Sequence, residues 1–536
     1  MTDGLGLEDV YGATLRRIKG QGGEKARLGM AALMWISYAE RPLKSDELCH
    51  ALAVEIGSAN VNSDNVPSIG TLLSCCQGLT VVDKKVSTFR LIHFTLQEYL
   101  RAQPELFGIA HATMAETCLS YLNSQQAKGA STAPILGFCS LPFLEYSALY
   151  WGVHAKRDLS DCAKLLALKL FDDSNHIPTK TLLWAQGILP YPVGSDSLFV
   201  FGGLHYASLF GIDEIVANLV EVEGCDINQI DCVGNTPLVW AARNGHVGVV
   251  KILLGRGDLN PNEPGCYGQT PLWCASKNGH EGVVKILLER DDINPNEPDR
   301  YKETPLTCAA RNGHEGVVRV LLGRGDVNPN KPGYYDRTPL SLAAENGHEG
   351  VVKIILGRDD VNPDELMSDG QTPLSYAAER GHEGVVKMLL GRGDVNPNKP
   401  GWRDRTPLWH AAWNGHERVV KILLGRGDVN PDEPDSHHQT PFLCAAWNGH
   451  EGVVKMLLGR DDVNPDEPED GGQSPLSCAA ENGHEGVVKI LLGRGDVNPN
   501  KPDRDGRTPL SRAAKNGYAG VTALLQPLES ATSGTT

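Results

Sequence analysis

Eight histidines stand at one recurring position, His246, His280, His314, His348, His382, His416, His450 and His484, and a column of imidazoles could in principle hold metal. Neighbouring members are a whole repeat apart, roughly 10 Å for packed helices, whereas ligands sharing one zinc each lie about 2.0–2.1 Å from it. The column therefore reads as a turn residue that bonds from one unit to the next. Cys274, Cys308, Cys444 and Cys478 also share one helical position and offer redox or metal chemistry; their small apolar side chains read as buried filler. Cys75 and Cys76 have no His-Asp pairing in sequence that would make a nucleophile of either. Arg-Gly-Asp occurs five times, starting at 256, 324, 392, 426 and 494, and reads as a charged turn closing a helix. No catalytic residue, cofactor or metal is expected, and the chain reads as a non-enzyme.

What positions these columns is an internal period, the feature to be sought first in a chain of this length. Thr-Pro-Leu or a near match begins at Thr236, Thr270, Thr304, Thr338, Thr372, Thr406, Thr440, Ser474 and Thr508, always 34 residues apart. Counting back one more period reaches Gly202, where LHYASLFGIDEIVANLV keeps the apolar spacing in a degenerate unit. In the unit from Thr338, Thr caps a first helix with Pro in its first turn, and the helix is expected over Pro339 to Glu345. Asn346-Gly347 stops it, and Val351, Val352, Ile355 and Leu356 form the apolar stripe of a second helix ended by Gly357. Glu349 and Lys353 lie one turn apart on its outer face. The Asn-Pro and Gly-rich stretch that follows has the composition of turns and a hairpin.

These residues closely resemble the ankyrin repeat: TPL, the AA doublet, the GH turn, VV and LL fall at that family's relative positions. Two departures stand out. The family's usual His after TPL is replaced by Val239, Trp273, Ser341, Trp409 or Leu443, which removes a side-chain hydrogen bond, and the loop gains a residue. The resemblance implies about ten stacked repeats over 200–526, stable only through their neighbours, with a protein partner on the concave side. A flexible tail is expected over 527–536.

Residues 8–105 lack the period. Helices are expected over 9–20, 24–40, 45–56 and 67–77, a small hairpin from LTVVD (Leu79) and TFRLIHF (Thr88), and a helix from Thr95, a winged-helix order. GMAALMWISYAERPLKSDELCHALAVE, LLSCCQGLTVVD and LIHFTLQEYLRA resemble the winged helix that follows the NACHT ATPase in fungal NLR-like (STAND) proteins. HATMAETCLSYL and EYSALYWGVHAK are similar to the helical connector placed before the repeats of such proteins, here 106–195. The fold class is thus mainly α, a winged-helix domain and helical connector followed by an ankyrin-repeat solenoid. The phosphate loop GxxxxGK[ST] of a NACHT module is missing; no Gly-Lys dipeptide occurs in the chain. Nucleoside triphosphate hydrolysis is therefore not implied.

Fifty basic and 66 acidic residues give a net charge of -16, which repels phosphate backbones and anionic lipid alike. The winged helix revives DNA binding as a rival, but the helical stretch before its hairpin, Asn65 to Leu79, carries no Lys or Arg. No nucleic acid and no membrane partner is expected. The opening residues lack an apolar signal region and the 13 Cys lack framework spacing, so a cytoplasmic setting is expected, with a nuclear one also open. The partner is expected to be a protein of unknown identity, and contact with a NACHT ATPase module is a further expectation. Candidate protein-binding residues follow the AA doublet, Arg243, Lys277, Arg311, Trp413 and Trp447, or stand at loop tips, Tyr267, Tyr301, Tyr334, Tyr335, Trp402 and Arg403; exposed Trp, Tyr and Arg dominate interface energies. Function then reads as a non-catalytic interaction scaffold, the sensor and regulatory portion of an NLR-like protein. The alternatives are the regulatory half of a split NACHT ATPase or, further off, a DNA-binding regulator.

Overall fold

The structure, a computed structural model, describes residues 7–129, 141–172 and 201–532. Its internal contacts divide it into two units, Met1–Cys266 and Tyr267–Thr536. The end of the expected connector, 173–195, and the last four residues lie outside the described residues.

The first unit opens with α1 (Leu7–Gly20), α2 (Gly23–Tyr38), α3 (Ser45–Ala53) and α4 (Ile69–Cys75). α4 starts after Ser68, not at Pro67, because the Ser68 hydroxyl accepts the Thr71 amide as an N-cap. β1 (Thr80–Asp83) pairs antiparallel with β2 (Thr88–Leu91), Thr80 opposite Leu91 and Asp83 opposite Thr88. The loop before α3 adds a bridge at Lys44–Thr88, a third edge the sequence pattern did not announce. α2 crosses α4 closely at Gly29, where a Cβ would stand 2.7 Å from the Cys75 carbonyl. Cys75 and Cys76 are buried at this crossing, and burial pushes the Cys76 thiol up to about 11; both pack, and neither is poised to react.

After α5 (Phe94–Arg101), the short α6 (Pro104–Phe107), α7 (Ala110–Leu122) and α8 (Gln125–Gly129), the connector continues with α9 (Leu144–Arg157) and α10 (Asp161–Asp172). α7 lies along α9 and α10. The first two helix pairs, Gly203–Phe210 with Asp213–Val220 and Pro237–Arg243 with Val247–Leu254, belong to the same unit. Leu149 of α9 joins Phe201, Tyr206, Leu209 and Trp240 in one buried cluster. The degenerate repeat keeps the histidine lost from later ones: His205 Nδ1 accepts the Gly202 amide, and its Nε2 lies 2.9 Å from the Gln229 carbonyl.

In the second unit each repeat is a helix pair as expected, for example Pro339–Glu345 and Glu349–Leu356. First helices pack on first helices and second on second. The capping threonine works as read: Thr338 Oγ1 accepts the Ser341 amide at 3.2 Å. Three polar columns then tie each repeat to the next. His314, His348, His382, His416, His450 and His484 direct Nε2 at a backbone carbonyl of the preceding repeat, at 2.8–2.9 Å. The Arg of the Arg-Gly-Asp and Arg-Asp-Asp turns, such as Arg324, Arg358 and Arg392, donates to the last carbonyls of the preceding second helix while paired with its own Asp. That places a cation at a helix C-terminus, where the dipole favours it.

The third column is an asparagine clasp. Asn296 Oδ1 accepts the Asn328 amide at 2.9 Å and its Nδ2 donates to the Asp326 carbonyl at 2.6 Å. Asn330 and Asn398 do the same for Asn362 and Asn430. In three repeats the position is Asp364, Asp432 or Asp466, whose Oδ2 still accepts the next amide. Their Oδ1 atoms are buried with no hydrogen-bond partner.

The residue two before each capping Thr or Ser has positive φ throughout the second unit: Gly268, Lys302, Asp336, Gly370, Asp404, His438, Gly472 and Gly506. A side chain at left-handed φ costs roughly 1–2 kcal/mol. Lys302, exposed and at φ 65, is the simplest of these to relieve. Lys302→Gly is expected to stabilise the chain by about 1 kcal/mol in urea unfolding, and a loss of stability would show that its side chain contributes there.

The last helix, Ala519–Thr532, continues past Gln526, where a flexible tail was expected. Most earlier second helices end on a Gly such as Gly459 or Gly493; the last has Pro527 at that place and no such turn follows.

Candidate functional site

The residues after the AA doublet are held through their backbones. The carbonyls that the histidine column grips are those of Lys277, Arg311, Glu345, Glu379, Trp413 and Trp447. Their side chains, each at the end of a first helix, are consequently presented on a fixed frame. They are less free than the sequence suggests. Arg311 is ion-paired with Glu303, Glu345 with Arg337 and Arg380, and Glu481 with Arg512, while Gln371 reaches Glu379 at 3.3 Å. Sequence reasoning missed this. The signal was a complementary residue eight positions earlier, Glu303 before Arg311 and Arg337 before Glu345. Lys277 and Arg243 instead sit over the rings of Trp273 and Trp240, at 5.1 and 5.0 Å.

Two of the residues replacing the family's His restore a bond across repeats. The indole N–H of Trp273 donates to the Glu303 carbonyl at 2.9 Å, and that of Trp409 to the Gln439 carbonyl at 3.1 Å. The expected loss of a side-chain hydrogen bond therefore fails at these two positions, because an indole reaches the same neighbouring loop.

The aromatic residues at the loop tips gather into two ladders. Tyr267, Tyr301, Tyr334 and Tyr335 are each about half exposed, and their ring centroids follow one another at 6.3, 6.2 and 4.0 Å. Farther along the unit, Trp402 is 57% exposed with the Arg403 guanidinium 4.2 Å from its centroid. Arg405 lies between Trp402 and Trp409, at 5.9 and 3.9 Å, and Trp409 stacks on Trp413 at 5.2 Å. Trp413 and Trp447 are half-buried. Arg405 and Trp409 complete this ladder; the sequence marked Trp409 only as a departure from the family pattern and did not mark Arg405. The tips are pinned to one another by backbone bonds, Arg300 N–H to the Tyr267 carbonyl at 2.8 Å and Ser436 N–H to the Arg403 carbonyl at 2.8 Å. Tyr267, Tyr335 and Arg403 themselves have φ of 59, 56 and 60, so bulky side chains sit on strained turns at the tips.

The other chemical candidates are structural. Cys274, Cys308, Cys444 and Cys478 are buried, and burial raises the thiols of Cys308, Cys444 and Cys478. Among the described residues no group of three or more His, Cys, Asp or Glu could hold a metal ion, and no helix is long and apolar enough to cross a membrane.

Stacked helix pairs with capped Thr-Pro turns and histidine links between neighbours define a helical repeat protein that carries a winged helix at its N-terminal side. A family model for ankyrin repeats in three copies matches residues 204–299, 258–332, 292–364, 325–400, 394–467 and 442–533. The chain belongs to the ankyrin-repeat family. A model described as the GPI inositol-deacylase winged helix domain matches residues 17–110. Among solved structures, the crystal structure of the human ASB11 ankyrin repeat domain is 26% identical, over 42% of this chain and 98% of that one, with a TM-score of 0.38. No curated protein matches the chain.

Proposed function

We propose that the chain is a non-catalytic protein-interaction scaffold, the sensor and regulatory portion of an NLR-like protein, which binds a protein partner along the first-helix ends and loop tips of its ankyrin repeats. The observation that carries this reading is the run of half-exposed Tyr and Trp rings on tips whose backbone is already hydrogen-bonded. A preformed aromatic surface loses little conformational freedom on binding, and such residues form interface anchors. The family membership supports the same reading.

The test uses the full chain as bait in native extract, followed by affinity measurement for the protein it retains. Tyr335→Ala with Trp402→Ala is expected to weaken binding by ~2 kcal/mol or more, roughly thirtyfold, with helicity unchanged because both rings are exposed. Equal affinity in the double variant would remove the loop tips from the surface. Trp413→Ala with Trp447→Ala tests the helix ends, read together with a melting curve because Trp413 stacks on Trp409.

A second reading has the winged helix docking on a separately encoded NACHT ATPase. Val81, Val86, Ile92 and Phe94, 46–66% exposed about the hairpin, favour it as an unusual apolar patch. DNA binding is not supported by α4, which carries no basic residue.

A further inference from the structure

A chain of buried polar contacts in the first unit fixes the protonation of one surface imidazole. The Tyr146 hydroxyl accepts the Glu40 amide at 3.0 Å and lies 2.9 Å from His154 Nε2; His154 Nδ1 lies 2.9 Å from His111 Nδ1. His154 is completely buried, and burial, with His111 and Arg157 nearby, holds it down at about 3, so it is neutral. One arrangement gives every hydrogen of this chain an acceptor. The tyrosine hydroxyl donates to His154 Nε2, the His154 proton sits on Nδ1, and it donates to His111 Nδ1. His111, itself held down mainly by burial, must then carry its proton on Nε2.

His111 lines a cavity of roughly 490 Å3 together with Tyr38, Ala39, Glu40, Arg101 and Arg157. Arg101 spends Nε and Nη2 on the Ser37 carbonyl, at 2.9 and 2.6 Å, which leaves Nη1. Arg157 holds the Glu40 carboxylate with Nη1 and Nη2, which leaves Nε–H. Glu40, the single acid of the lining, is committed to that pair. The Asp158 carboxylate also acts on His111, from outside the lining. What the cavity offers an incoming molecule is therefore donors: the two guanidinium groups, the imidazole N–H and the Tyr38 hydroxyl. Donors converging from α2, α5, α7 and α9 suit a tetrahedral oxyanion, and the volume falls in the range, about 300–1,000 Å3, of small-molecule sites.

We infer that this cavity between the winged helix and the connector binds a small organic phosphate, with His111 Nε2–H, Arg101 and Arg157 as its donors. The site is independent of the protein-interaction surface, so either can fail alone.

The experiment is calorimetric titration of the full chain, at constant ionic strength, with inorganic phosphate, glucose 6-phosphate and, as the planar-anion control, acetate. The expected result is saturable binding of the two phosphates and none of acetate. Tighter binding of the ester identifies the organic phosphate, whereas equal affinity reduces the site to one for the free ion and overturns the organic part. Arg101→Gln and His111→Phe are each expected to weaken phosphate binding at least tenfold; Arg90→Gln, on the hairpin, is not. Imidazole 15N spectra read the site without any substitution: His111 is expected as the Nε2–H tautomer, shifting on phosphate addition. An Nδ1–H tautomer, or identical affinities in all variants, would overturn the proposal.

Discussion

Replacing Asp364, Asp432 and Asp466 together by asparagine is expected to raise the stability of the repeats by about 3 kcal/mol at pH 7, since a buried oxygen without a partner costs roughly 1–3 kcal/mol and these residues are only partly covered. In each case the carboxylate reproduces half of the clasp. It accepts the amide of Asn396, Asn464 or Asn498, but the other oxygen faces a place where Asn296 or Asn330 puts an N–H onto a carbonyl. Oxygen against oxygen repels, and an amide nitrogen turns that contact into a bond. The gain depends on pH with a definite sign. Burial first, opposed by the amides of Asn396 and Asn464, raises the carboxyls of Asp364 and Asp432; Lys399 opposes it and Asp394 adds to it at the former, and Glu467 and Asp462 add to it at the latter. A folded-state value above the unfolded one means the folded chain holds the proton more tightly. The penalty is then complete above the raised value and vanishes below the unfolded one, about 3.9. The share of the advantage that comes from Asp364 and Asp432 should shrink in denaturant unfolding as pH falls from 7 towards 4. A variant no more stable than the parent at pH 7 would mean that the orphaned oxygens are already satisfied.

Gly347→Ala is expected to destabilise by about 3 kcal/mol, because three penalties fall on one atom. The residue sits at φ 73, where a Cβ is strained, and that Cβ would stand 2.6 Å from Nδ1 of His382. His382 can withdraw only by giving up its bond to the Glu345 carbonyl. Repeat stacks are held by nearest-neighbour interfaces, so weakening this joint should split one thermal transition into two. A single unshifted transition in calorimetry would show that the histidine link carries little.

The repeat period announced the helix pairs, their caps and their turns with little error, since Thr-Pro, Asn-Gly and the apolar stripe are local signals. Pro339–Glu345 and Glu349–Leu356 are read directly from it. The candidate surface was legible as a list of residue types and not as geometry. Arg311 looked free because its partner, Glu303, stands just before the N-cap of the same helix, eight positions earlier, a spacing outside the i,i+3 and i,i+4 pairs of a helix face. Trp409 looked like a departure from the family pattern, and its role in carrying Trp413 depends on ring orientation, which no spacing encodes. The buried Tyr146 and His154 share one apolar helix, α9, and what spacing did not reveal is that His154 Nδ1 meets His111 on α7.

The histidine, arginine and asparagine columns join each repeat only to its immediate neighbour, through residues 30 to 37 positions apart. Excising one whole period would leave the same donors opposite the same acceptors. A gene for such a chain can change its copy number by unequal recombination without inventing new contacts, whereas an insertion of any other length would throw all three columns out of phase at once.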